Sequence, residues 1–236
     1  MATFEARVEG LTSISIDGSS TPTQEGLTEF LKDGVIDVTN KTLESKPQDA
    51  SLFTRKTASD SQGVDVGRAN IISVLREAGV DGSTDGSTAW RSCRQVPVDL
   101  QSRVVDTDSL HFASIYNPVY ILDDTGIVNV YPTPSSNNGI EVYYINEEPR
   151  DITNNASLTY AHSNVKYFPN NKVYLVVLYA AIKSIEAKLA SYTIDEEDTE
   201  LVESYKTSLA TFKQQYTDSF AVAKKQEQSQ RQRRRR

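Results

Sequence analysis

Cysteine, histidine, methionine and tryptophan are nearly missing from this chain of 236 residues, which holds one Cys, two His, one Met and one Trp. The single cysteine, Cys93, excludes an intramolecular disulfide, and with only His111 and His162 beside it there is no Cys/His spacing of a zinc site. The fold is expected to hold by packing alone, with no metal and no cofactor. No run of eighteen apolar residues occurs, and the opening MATFEARVEGLTSISIDGSS lacks the basic-then-apolar layout of a secretory signal. A soluble intracellular product with no membrane contact is the expectation. The phosphate-cradling GxxxxGK(S/T), a GxGxxG after a strand, HExxH and GxSxG are all missing, so an enzyme is not expected. Cys93 lies in RSCRQ, which offers no catalytic frame. The ordinary reading is a small, partly buried side chain, its thiol more reactive if Arg91 and Arg94 lie close.

What is present is enough to fold. Hydrophobic residues make up 38% of the chain, sufficient for a core in one or two domains. The net charge of −7 conceals a division along the chain. The last thirteen residues, KKQEQSQRQRRRR, hold seven of the 25 basic residues and one of the 32 acidic ones. Residues 1–223 are left with 18 basic against 31 acidic residues, an acidic body at −13 carrying a basic tail at +6.

The order of elements predicts an α+β protein, a helical bundle with an inserted β-rich domain. Thr21-Pro22-Thr23-Gln24 supplies a capping hydroxyl, a proline for the first helical position and a Gln three residues after the cap. Leu27, Phe30 and Leu31 give that helix an apolar face, and Asp33-Gly34 is expected to end it. A second helix, roughly residues 35–45, is stopped by Pro47. From about residue 52 to 145, short β-branched and aromatic runs alternate with Gly, Pro, Asp and Asn. The best strands are Val119–Leu122, Ile127–Tyr131 and Ile140–Ile145, read as an antiparallel meander with a turn at 123–126 and a longer loop at 132–139. Residues 70–77 fit a strand or a short helix, and 79–87, GVDGSTDGS, a flexible loop.

The strongest pattern follows. A helix starting at Pro169 repeats Leu175, Leu178, Ile182, Ile185, Leu189 and Tyr192 at spacings of three and four. Thr193-Ile194-Asp195-Glu196 offers a capping box to a second helix with Val202, Tyr205, Leu209, Phe212, Tyr216 and Phe220. The short connection demands an antiparallel hairpin. The expected partition is therefore 1–50 for N-terminal helices, 51–150 for the β insertion, 151–223 for the hairpin and 224–236 for the tail.

Three features carry chemistry. The acidic run Asp195, Glu196, Glu197, Asp198 and Glu200 lacks the alternating ligands and central glycine of a calcium loop, and acids in a first helical turn suit its dipole. Asp123-Asp124 is explained by its turn. Tyr143-Tyr144, Tyr160 and Tyr167-Phe168 are read as core, with an interface as the functional alternative and base stacking disfavoured by the acidic body. The tail, with Lys224, Lys225, Arg231, Arg233, Arg234, Arg235 and Arg236, has no apolar residue after Ala223, a composition expected to stay disordered until a partner orders it. It could follow nucleic acid, dock into an acidic protein groove through arginine forks, or serve as a solubilising end.

Four segments together resemble the head-to-tail adaptor (connector) proteins of tailed bacteriophages, which include the tail tubular protein of short-tailed phages. They are LTEFLKDGVIDVTNKTLESKP, PVYILDDTGIVNVYPTP followed by GIEVYYINEEP, YFPNNKVYLVVLYAAIKSIEAKL, and ELVESYKTSLATFKQQYTDSF. The stretch 59–108 carries no part of the likeness. The resemblance implies a virion structural protein at the neck, a homo-oligomeric ring of commonly twelve copies between the portal and a tail or nozzle protein. It further implies a C-terminal extension that docks on the portal and a lumen that passes the genome DNA. The alternative is a nucleic-acid-binding protein that uses the Arg-rich tail.

Overall fold

A computed structural model describes residues 2–67, 69–78, 89–135, 139–145, 148–192 and 199–234, with side chains described as far as residue 220. The chain forms two compact units, one of Met1–Phe53 with Glu148–Arg236 and one of Thr54–Glu147.

The first unit is helical. Its opening helix, α1 (Phe4–Thr12), is one that the sequence reading passed over; Thr3 caps it by accepting a hydrogen bond from the Ala6 amide at 3.2 Å. Phe4, Val8 and Thr12, spaced by four, are buried on one face. Helix α2 spans Gln24–Ser45 without a break. Its cap is Thr23, which accepts from the Gly26 amide at 3.1 Å, so the helix begins two residues later than the capping pattern suggested. The expected stop at Asp33-Gly34 is corrected, because Gly34 sits in the helix interior against α4 (Val173–Tyr192). A Cβ there would lie 3.1 Å from Cδ1 of Tyr179, so the glycine is a notch for a ring rather than a terminator. Leu27, Leu31 and Val38 are fully buried along the same stripe.

After Ser45 comes a 3-10 segment, Pro47–Phe53, whose Phe53 meets Phe168 edge to face at 5.4 Å. A 3-10 turn at Asn170–Lys172 then leads into α4, which starts later than Pro169. Leu175, Leu178, Ile182 and Ile185 are buried as the spacing required, but so are Val173, Val176, Val177, Ala180, Ala181 and Ser184. Burial on more than one face makes α4 the axis of the unit, packed against α1, α2 and α5 (Thr199–Arg234). The pairing of α4 with α5 is antiparallel: Tyr192 stacks on Tyr205, Glu186 pairs with Lys213, and Tyr179 meets Tyr216. The acid run 195–198 and its capping box lie outside the described residues, as does the loop 79–87.

Besides one short helix, α3 (Gln101–Val105), the second unit contains two four-stranded sheets among its described residues. One has the order β1 (Arg55–Ser59), β8 (Ile140–Ile145), β3 (Asn70–Glu77), β4 (Trp90–Ser92). The other runs β2 (Val64–Asp65), β7 (Ile127–Tyr131), β6 (Val119–Leu122), β5 (Arg94–Gln95), with β5 parallel to β6. Residues 70–77 are thus a strand. The three late strands have the expected bounds, but the meander is corrected: β6 and β7 form a hairpin, whereas β8 crosses to the other sheet and inserts between β1 and β3. The reason is packing, since Ile140, Val142 and Tyr144 on one face of β8 meet Val64, Val128 and Val130 in the core between the sheets. In the hairpin turn the Asp123 carboxylate accepts from the amides of Thr125 and Ile127 and from the Thr125 hydroxyl. Gly126 follows at φ 92°, and a Cβ on it would strike the Gly67 carbonyl at 1.9 Å.

Candidate functional site

Helix α5 is 36 residues long, about 54 Å at a rise of 1.5 Å per residue. Its inner face is the predicted stripe, with Val202, Tyr205, Leu209, Phe212 and Phe220 half-buried and Tyr216 buried. The burial is concentrated where α5 reaches α2. There the Tyr216 hydroxyl donates to Oδ2 of Asp37, Lys41 Nζ lies 2.7 Å from the same oxygen, and that ammonium stands 4.7 Å from the Tyr216 ring centroid. Phe220 closes the group at 5.2 Å from Tyr216. Burial, then the bond to Asp37, pushes the Tyr216 hydroxyl far above an ordinary tyrosine pKa. Asp37 and Lys41 were not singled out by sequence reasoning. Their signal was an acid and a base one turn apart on α2, a common surface pattern until an aromatic ring covers it.

Past Phe220 the α5 backbone continues as helix through Arg234. This corrects the expected disorder after residue 223. The segment AVAKKQEQSQRQRR contains neither Gly nor Pro and is rich in helix formers, and it propagates from turns already formed, so the cost of nucleation does not recur. Of the tail residues, Lys224, Lys225, Arg231, Arg233 and Arg234 lie on this helix, whereas Arg235 and Arg236 lie outside the described residues.

The other candidates separate. Cys93 is buried in the core between the sheets, and burial pushes its thiol up to about 12, only partly opposed by the charge of Arg76. The expected activation by Arg91 and Arg94 is therefore corrected, since desolvation exceeds any nearby positive charge. His162 uses Nδ1 on the Thr159 amide and hydroxyl, and burial at Asp151 is outweighed by bonds from the Thr153 and Asn154 amides and by the nearby His162, which hold that carboxyl below its usual range. Among the described residues no three His, Cys, Asp or Glu side chains stand where they could hold a metal ion, and no helix is long and apolar enough to cross a membrane. The aromatic residues do not form one cluster. Tyr144 and Phe168 are core residues of different units, Tyr143 donates to Glu141 at 2.7 Å, and Tyr167 is 41% exposed.

The described residues thus form an axial helical unit, a two-sheet insertion and a long C-terminal helix anchored at Tyr216. The family model of the SU10 adaptor protein matches residues 5–236, nearly the whole chain and all of the basic segment. The chain belongs to the SU10 adaptor protein family, which makes it a bacteriophage adaptor and a component of the virion. No curated protein matches it significantly.

Proposed function

We propose that this adaptor assembles as a ring, of twelve copies on the resemblance, at the neck between capsid and tail, under the portal and with genome DNA passing through its lumen. The observation that supports this reading is the family match over residues 5–236, a range that includes the basic end of α5. Lys224, Lys225, Arg231, Arg233, Arg234, Arg235 and Arg236 dock on an acidic surface of the portal, and many weak contacts in one ring add through avidity. The anchored α5 suits this, because a helix fixed at Tyr216 presents its basic end at lower entropic cost than a free chain would.

The β unit makes the tail-side contact. Val98, Val105, Leu110 and Tyr116, all within one 19-residue stretch, are more than half exposed, and Leu110 is completely so. An acidic body suits a channel through which DNA moves without sticking. The role is structural, with no catalytic step.

Deletion of residues 224–236 tests the docking role: the truncated chain is expected to keep its fold and fail to attach to DNA-filled heads. Infectious particles at the normal yield would overturn it. A tail that binds DNA instead would show affinity for free duplex falling with salt at a log-log slope of roughly −6 for seven phosphates, whereas the adaptor role needs little such affinity.

A further inference from the structure

Beside the start of α4 lies an open pocket of about 380 Å³, lined by Ala2, Arg7, Ser163, Asn164, Asn170 and Val173. Its polar side chains are rich in hydrogen-bond donors. The Val165 amide donates to Oδ1 of Asn164 at 2.8 Å, and Asn164 Nδ2 donates to Oδ1 of Asn170 at 3.1 Å. Each amide oxygen thus already accepts one hydrogen bond, and the first bond fixes the orientation of both amides. The donors open to a ligand are the Asn170 Nδ2 hydrogens, the second Asn164 hydrogen, the Ser163 hydroxyl and the Arg7 guanidinium.

Arg7 is the unusual member. Half-buried, it has no ion pair or side-chain hydrogen bond among the described residues, and its guanidinium carbon stands 5.6 Å from the Phe4 ring centroid. Burial lowers its pKa below the ordinary guanidinium value, as for a cation that loses water without gaining a counterion. A fork of five N–H donors over an aromatic ring is suited to planar, bidentate capture of a carboxylate. Ala2 and Val173 supply an apolar wall for the methylenes that precede such a group.

We propose that the Arg7 pocket is a carboxylate socket that takes an Asp or Glu side chain from a second copy of the chain. A second copy is the source because residues 1–223 carry 31 acidic against 18 basic residues, so a neighbour presents carboxylates far more often than cations. A contact of this kind joins two different faces, as a closed ring requires. The inference rests on the ring assembly proposed above.

The test uses the full-length protein uniformly labelled with nitrogen-15 for NMR. Acetyl-Glu-amide is expected to shift the Arg7 Nε–H resonance and the side-chain amides of Asn164 and Asn170, and Arg7→Gln, its affinity read from those two amides, is expected to bind that probe at least tenfold more weakly. In a second arm, ring yield is measured by mass, alone and with isolated portal. There Arg7→Gln is expected to need at least tenfold more protein for the same yield, while its melting temperature equals or exceeds that of the wild type. No shift with acetyl-Glu-amide, tighter binding of inorganic phosphate, or an Arg7→Gln ring at wild-type yield would each overturn the socket. If the wild type itself forms no ring in either setting, the ring reading fails and takes the second-copy source with it.

Discussion

The Tyr216 hydroxyl donates a hydrogen bond to the Asp37 carboxylate, joining α5 to α2 across 179 residues of sequence. Lys41 completes the group by pairing with the same carboxylate and standing over the Tyr216 ring. Because one oxygen of Asp37 serves both partners, removing either leaves the carboxylate partly satisfied. That arrangement sets the size of the expected effects.

Tyr216→Phe is expected to cost about 1.5 kcal/mol, the value of a hydrogen bond to a charged acceptor, and Asp37→Asn to cost a similar amount with strong non-additivity in the double variant. The pH dependence has a definite sign. The folded pKa of Tyr216 lies above its ordinary 10.0, first through burial and then through Asp37. The folded state therefore keeps its proton where the unfolded state has lost it. The associated stability is whole below about pH 10 and is lost as pH rises beyond it. Urea melts between pH 8 and 11 should show a steeper alkaline decline for the wild type than for Tyr216→Phe; equal slopes would remove the hydrogen bond from the account.

Glu186 makes the second link between the long helices, with Oε1 2.9 Å from Lys213 of α5 and Oε2 3.0 Å from Lys183 of its own α4. Burial raises its pKa, but the bonds from Lys213 and Lys183 outweigh this and hold it below 4.5. A depressed carboxyl contributes stability above its unfolded pKa and loses it as pH falls through the folded value. The site is a third exposed, so Glu186→Gln should cost only about 0.5–1 kcal/mol at neutral pH. That difference should shrink as pH falls below the ordinary carboxylate value and through the lower folded one, and its persistence once the carboxyl is protonated would show that the variant acts through packing.

Gly34→Val is expected to destabilise the helical unit by about 1–3 kcal/mol, although valine is a better helix former than glycine. The reason is the 3.1 Å approach to the Tyr179 ring that a Cβ would make. Pairing it with Tyr179→Leu should recover part of the loss in thermal melts. A variant that melts above the wild type would mean that the ring moves aside freely.

Element type was legible wherever period and packing agreed. The stripe from Leu175 to Ile185 and the alternation in 127–131 are each set by one buried face, so periodicity alone found them. Gly34 was misread because a glycine that ends a helix and one that admits a ring look the same until the ring is placed. Strand β8 was found but paired wrongly, since its bounds are local whereas its partners β1 and β3 lie far back in the chain. The continuation of α5 past residue 223 was hidden by charge: polarity there signals lack of a core, yet Ala, Lys, Gln and Arg still favour a helix already begun. Arg7 left no mark in sequence, because what sets it apart is the lack of an ion pair or side-chain hydrogen bond among the described residues in three dimensions.

Cys93 is the residue whose chemistry the structure restrains most directly. It is 7% exposed among Val74, Tyr120 and Val142, and its thiol is raised to about 12 by burial. At pH 8 the thiolate fraction is then about one in ten thousand, against roughly a quarter for an ordinary thiol of pKa 8.5. Iodoacetamide at pH 8 should leave the native protein unmodified over hours and alkylate it fully in urea. The difference in rate should exceed the thousandfold set by ionisation alone, because the core must also open to admit the reagent. Labelling of the folded chain at the unfolded rate would place the thiol at the surface and reopen a nucleophilic role. Cys93→Ala, removing one buried sulfur, should cost about 1 kcal/mol in urea melts.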